Sequence, residues 1–235
     1  MGMSAESTGS PQQLVQVEEG LRARKKREQR QQLSDTATRM FLEQGFDAVK
    51  VAEIARTCGV SATTVFNYFP TKESLLLDRL DGTAAAIVDA IAESGGDPVI
   101  AVVEALREQV GFLAQQKGRG DVATVVHDLH RFGELIRSTA SMRAHFSERK
   151  EVYTVSAATA LATKYGTYAT DPRVMIAATA LIGLWQVQSD ALYAATSRKR
   201  TIAQVRQQVD ADLRSAGDVI SKGLSYLESS LNRAG

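Results

Sequence analysis

Residues 51–72, VAEIARTCGVSATTVFNYFPTK, decide the reading of this chain, because they spell two short helices joined by a tight turn and closed by a proline. Val51, Ile54, Ala55 and Cys58 recur at the i, i+3, i+4, i+7 spacing that places an apolar stripe on one helical face. Gly59 supplies a residue that turns left-handed without steric cost, so the chain reverses within a few residues, with Val60 as an apolar plug beneath the turn. Ser61 then caps a second helix running to about Tyr68, in which Val65, Phe66 and Phe69 are expected as anchors. Between them stand the short polar groups Ser61, Thr63, Thr64 and Asn67, which suit base edges or phosphates in a major groove. Pro70 ends the helix, because the residue before a proline is pushed out of the helical region.

Working outward, Leu33, Ala37, Met40 and Phe41 form the stripe of a preceding helix that stops at Gly45-Phe46, so three helices make a head spanning 21–70. Residues 1–20 are rich in Ser, Gln, Gly and Glu without periodicity and are expected to be a mobile tail. From Thr71 a long helix carries Leu76, Leu80, Thr83, Ala84, Ile87 and Ile91 as far as Ser94-Gly95-Gly96. Start signals at Asp97-Pro98 and Asp171-Pro172, a capping-box pattern at Thr201-x-x-Gln204 and breaks at Lys117–Gly120 and Gly166 divide the remainder, 71–235, into further helices. No strand pattern competes, so the fold class is all-α: a three-helix DNA-binding head with a helix-turn-helix, then a larger helical bundle.

Composition narrows the function classes. One cysteine precludes an internal disulfide, no secretion-type leader is evident, and the longest apolar run, Val174 to Trp185, is shorter than the roughly 18 residues that span a bilayer. The expectation is a cytoplasmic protein without a membrane partner. Net charge is only +1, yet Arg22, Arg24, Lys25, Lys26, Arg27 and Arg30 stand together against Glu28 alone, a basic arm suited to phosphates or a minor groove. No phosphate loop, nucleophile elbow, zinc helix or CxxC pair is present, so no enzyme, cofactor or metal is expected. His127 and His130, three apart on a helix, lack further ligands, and Cys58 on an inward face is a packing residue and not a redox sensor.

CGVSATTVFNYFPTKESLL resembles the recognition segment of TetR-family transcriptional regulators, AGVS-x-G-T-L-Y-x-H-F-x-S-K-E-x-L, and the resemblance extends from about Arg22 to Leu80. Four positions depart from it: Thr63 stands for the usual glycine, Phe66 for tyrosine, Tyr68 for histidine, and Lys50 for the threonine that opens the first reader helix. The resemblance implies a repressor bound to an inverted-repeat DNA operator, with Ser61, Ala62, Thr63 and Asn67 facing bases and Lys50, Thr64, Tyr68 and Lys72 on phosphates. It also implies a small-molecule effector held between Thr71 and Thr196. Phe112, His127, Met142, Phe146, Tyr153 and Trp185 are the candidate lining, and the stretch from Arg131 to Phe146 is loosely similar to regulators of acyl-CoA-type or other lipophilic ligands. The near-continuous apolarity of Val174–Trp185 and the long stripe Val205, Val209, Leu213, Ala216, Ile220, Leu224, Leu227 and Leu231 predict a homodimer through the last two helices. Two other readings predict different behaviour: an all-helical ligand-binding or enzymatic protein has no operator, and an architectural DNA binder depends on salt but not on sequence.

Overall fold

The computed structural model describes the backbone of residues 11–115, 122–198 and 200–231, with side chains described for 20–110 except 79, for 124–198 and for 200–223. The segment 1–10, the break at 117–120 and the side chains of Phe112, Leu224, Leu227 and Leu231 lie outside the described residues. The described elements are all helices: α1 (Pro11–Gln44), α2 (Val51–Thr57), α3 (Ala62–Tyr68), α4 (Lys72–Glu93), α5 (Pro98–Gln115), α6 (Val122–Ser138), α7 (Ala140–Tyr165), α8 (Pro172–Thr196) and α9 (Ile202–Leu231). Two compact units divide between Leu76 and Leu77, within α4, against the boundary at residue 70 expected from sequence.

In the first unit, Leu33, Ala37, Phe41, Phe46, Val49, Ile54, Ala55, Val65 and Phe69 form one buried core. Gly45 leaves α1 with φ +88°, and Phe46 folds back so that its ring sits 5.0 Å from that of Phe41. This is the left-handed helix end that the Gly-Phe pair signals. α1 itself begins at Pro11, well inside the stretch expected to be an aperiodic tail. Two polar residues share the buried face of α1: Ser34 donates its hydroxyl to the Leu75 carbonyl at 2.9 Å, whereas the Thr38 hydroxyl is buried with no partner among the described residues.

In the second unit the caps stand where the sequence placed them. Asp97 accepts from the Val99 amide at 2.7 Å, and Asp171 accepts from the Arg173 amide at 2.8 Å with Pro172 in the first turn of α8. Gly166 closes α7 with φ +63°. Thr201 and Gln204 bond reciprocally at 2.9 and 3.3 Å, completing the capping box that opens α9.

α8 is the centre of this unit and packs against α5, α6, α7 and α9 of the same chain. Its all-round apolarity, expected to need a partner protomer, is therefore largely satisfied internally: Val174, Ala177, Ala178, Leu181, Ile182, Leu184 and Trp185 are buried within the protomer. A buried Gln188 fixes the register by donating to the Leu106 carbonyl of α5 at 2.8 Å. Apolar surface still exposed on the last two helices includes Ile176 of α8 and Val219 of α9.

Candidate nucleic-acid interface

The reader is built from α2, a turn and α3. Lys50 precedes α2 in an extended conformation, and its amide donates to the Glu53 carboxylate at 3.1 Å, half of a capping box. Cys58, half-buried, ends α2 and Gly59 follows with φ +69°, the left-handed value that lets the Val60 amide reach back to the Ala55 carbonyl at 3.0 Å. Ser61 then starts α3, accepting from the Thr64 amide at 3.0 Å, with the two hydroxyls 2.8 Å apart. Phe69, extended before Pro70, drops into the core and terminates α3.

α3 thus has one buried side, centred on Val65, and one open side. Thr63, Phe66 and Asn67 are exposed and Ala62 half-exposed. Because residues at i and i+4 share a face, Ala62 with Phe66 and Thr63 with Asn67 form adjacent rows on the open side. Three of the residues expected to face bases, Ala62, Thr63 and Asn67, stand together there. Ser61 and Thr64 spend their hydroxyls on the cap, and Tyr68 is half-buried at the end of the helix. Phe66, expected from sequence as an internal anchor, is instead 48% exposed. An apolar residue in a short helix carries no label for the side it faces, and Val65 and Phe69 already fill the interior.

Two cations hold α3 in place. Arg30 of α1 donates to the Tyr68 carbonyl at 2.7 Å and lies 4.5 Å above the centre of the Phe69 ring, so it satisfies the C-terminal end of the reader helix. Lys72, expected on a phosphate, points its ammonium to the Phe46 carbonyl at 2.5 Å, 4.4 Å from the Phe46 ring and 5.7 Å from that of Phe41. Sequence reasoning missed this inward turn because a lysine after a proline reads as surface; the aromatic pair at the end of α1 was the available signal. Lys50 is exposed. The basic stretch expected as an arm is helical, its residues 21–28 exposed along α1, with Arg24 3.5 Å from Glu28.

The effector candidates separate into two groups. Phe146 of α7 and Trp185 of α8 meet edge to face at 4.8 Å, and Tyr153 approaches Trp185 at 6.3 Å. Cations border this cluster: Arg149 pairs with Asp81 of α4 at 2.5 Å and lies 5.4 Å from the Tyr153 ring, while Lys150 lies 5.2 Å from the Phe146 ring and donates to Gln186 at 3.1 Å. Burial, aided by the Asp81 charge, raises the Tyr153 hydroxyl above its ordinary range, so it stays protonated. Met142 is completely buried, and His127 is exposed on α6, away from any ring contact among the described residues. Sequence reasoning missed Arg149 and Asp81, which lie on different helices and carry no motif. It also missed a neighbouring network in which Tyr193 donates to Glu134, stacks on His130 at 4.9 Å and lies 4.4 Å from Arg137. No group of three or more metal-ligating side chains is assembled among the described residues.

Residues 33–78 match the family described as "Bacterial regulatory proteins, tetR family". The chain is similar to the HTH-type transcriptional regulator TcmR of Streptomyces glaucescens, 28% identical over 211 residues covering 84% of this chain and 92% of that protein. It is also similar to the HTH-type transcriptional regulator BetI of Rhizobium meliloti, 37% identical over 94 residues, 39% of this chain and 43% of that protein. Among solved structures, a TetR-family transcriptional regulator from Syntrophomonas wolfei shares the fold with a TM-score of 0.53 at 19% identity, covering 81% of this chain and 95% of that one. The matched segment contains the capped α2–turn–α3 reader and Lys72, with Arg30 just before it, and the long match to TcmR carries the likeness through the second unit: the chain carries the DNA-binding head of the TetR family of transcriptional regulators.

Proposed function

We propose that the protein is a cytoplasmic, homodimeric repressor that binds an inverted-repeat operator and is released from it by a small-molecule effector, acting through binding and not turnover. The observation that carries this reading is the open side of α3. A helix with Val65 and the following Phe69 locked in the core, its first turn capped by Ser61 and its end tied by Arg30, presents Ala62, Thr63 and Asn67 outward with no side-chain hydrogen bond among the described residues. In this assignment Asn67 pairs with an adenine edge, Ala62 and Thr63 contact neighbouring bases, and Ser61 adds a contact at the helix start. Lys50, Thr64 and Tyr68 take phosphates together with the exposed cations of α1. Lys72 acts chiefly as a positioning residue, its ammonium already on the Phe46 carbonyl.

Dimerisation through α8 and α9 is supported by the exposed Ile176 and Val219. Two readers about one helical turn apart, roughly 34 Å, then match the symmetry of the repeat. The effector reading is supported by the Phe146–Trp185–Tyr153 cluster with its bordering cations, which suits a lipophilic molecule carrying a polar or anionic head, acyl-CoA-like compounds included. Coupling is ordinary linkage: an effector preferring the arrangement that does not bind DNA weakens the operator by the ratio of its affinities for the two states, about 5- to 150-fold for typical couplings.

The test is selection of bound DNA from a random pool by the purified chain, with its mass measured in parallel. The expected result is an inverted repeat retained by a dimer. Retention without any enriched sequence, or absence of retention at low salt, overturns the reading.

A further inference from the structure

We propose that Phe66 reads the 5-methyl group of a thymine in the major groove, and so sets part of the operator's sequence. The inference rests on the DNA-reading role of α3. Phe66 is 48% exposed, whereas Val65 before it and Phe69 after it are fully buried, so the core neither holds the ring nor needs it. On the helix it lies one turn beyond Ala62 and beside the Thr63–Asn67 row, in the middle of the face assigned to bases. Single exposed apolar residues are ordinary on protein surfaces. What distinguishes this one is its company on the only open side of a short reader helix.

The chemistry of the ring selects its target. A phenyl group has no hydrogen-bonding atom, so it serves no phosphate contact. In the major groove the one apolar base feature is the thymine methyl, and an aromatic or methyl-bearing side chain recognises it by excluding water. Cytosine offers only a C–H at the same place, together with an amino group that apolar contact would desolvate. Phe66 therefore favours thymine over cytosine at its position, while Asn67 beside it reads by hydrogen bonds.

The experiment takes the operator recovered by pool selection and replaces each thymine singly with deoxyuridine, which removes the methyl and leaves every hydrogen-bonding group. Wild-type protein, Phe66→Ala and Phe66→Leu are titrated against each duplex. The expected result is one position per half-site where wild type loses about 4-fold in affinity, the worth of one buried methyl. Phe66→Ala is indifferent there and Phe66→Leu retains part of the effect. Wild type insensitive at every thymine, a Phe66→Ala variant as sensitive as wild type, or a half-site without thymine overturns the proposal while leaving the regulator reading intact. Failure to enrich any sequence is a separate outcome that removes the reading itself, and this proposal with it. Unchanged hydrogen-exchange protection of α1–α3 in Phe66→Ala confirms that the comparison is made on a folded head.

Discussion

Lys72→Ala separates two roles that a lysine beside a DNA-binding helix can play. As an internal staple, its ammonium donates to the Phe46 carbonyl at 2.5 Å and sits 4.4 and 5.7 Å from two aromatic rings. A hydrogen bond from a charged donor contributes about 1.5–3 kcal/mol, and each cation–π contact at a part-exposed site about 0.5–1. Because the group is only part-buried, the lower ends apply, about 2.5 kcal/mol together, and solvent screening brings the loss to about 2 kcal/mol. The assay must report on the head. The single tryptophan, Trp185, lies in the second unit, so its fluorescence is the wrong probe, and native-state hydrogen exchange of the α1–α3 amides is the right one. A loss of about 2 kcal/mol accelerates globally protected amides of the head roughly 30-fold. The salt dependence of operator binding, extrapolated to fully folded protein, keeps its slope. Unchanged exchange, combined with a slope flattened by about one, shows that Lys72 spends its charge on a phosphate and refutes the staple.

Asn67→Ala is expected to relax base preference at one position per half-site, costing about 1–3 kcal/mol on the selected operator and little on random DNA in parallel titrations. Thr38→Val removes a buried hydroxyl that has no partner among the described residues and should stabilise the head by about 1 kcal/mol, read by slower exchange of α1. In the second unit two glycine substitutions should have opposite signs in urea unfolding followed by Trp185. A Cβ at Gly217 of α9 would sit 2.9 Å from a Val103 methyl, so Gly217→Ala destabilises by about 1 kcal/mol net, whereas Gly82→Ala in α4 meets nothing within 4 Å and gains about 1. Asp171 is held at about 2, first by its side-chain bond from Arg173 and then by the Arg173 amide, below its ordinary 3.8. A depressed carboxylate pKa stabilises above the unfolded value and loses that contribution as pH falls through the folded one. The stability difference between wild type and Asp171→Asn should therefore be constant above about pH 4 and vanish towards pH 2.

The turn chemistry of this fold is legible in the sequence because each signal has a local cause. Gly45, Gly59 and Gly166 each take positive φ at a helix end. Ser61, Asp97, Asp171 and Thr201 each accept from an amide two or three residues on. Such features need only a few neighbouring residues, so spacing reveals them. The start of α1 was illegible for the converse reason. Hydrophobic periodicity marks a helix only when one face is buried, and the described side chains from Gly20 to Glu28 are all exposed. The helical run before the head consequently reads as aperiodic. α8 shows the opposite limit, since apolarity all round says that a helix is covered but not by which chain.

The site divides along the same line. That α3 is the reader follows from local grammar, but which residues of α3 face outward depends on what the rest of the head has already filled. Phe41, Phe46, Val65 and Phe69 close that core, Arg30 satisfies the reader's last carbonyl, and Lys72 turns in over the aromatic pair. Phe66 is left outside because the volume beneath α3 is taken. A residue's chemistry thus sets what it can recognise, while the packing around it decides whether it is free to do so. The same argument bears on the aromatic cluster of the second unit. Phe146, Tyr153 and Trp185 were recognisable as candidates from sequence, but the Arg149–Asp81 pair that borders them joins α7 to α4 across a separation no motif records. If that pair orients the cluster, Arg149→Met should alter effector response without changing operator preference, because the reader and its ties contain neither residue.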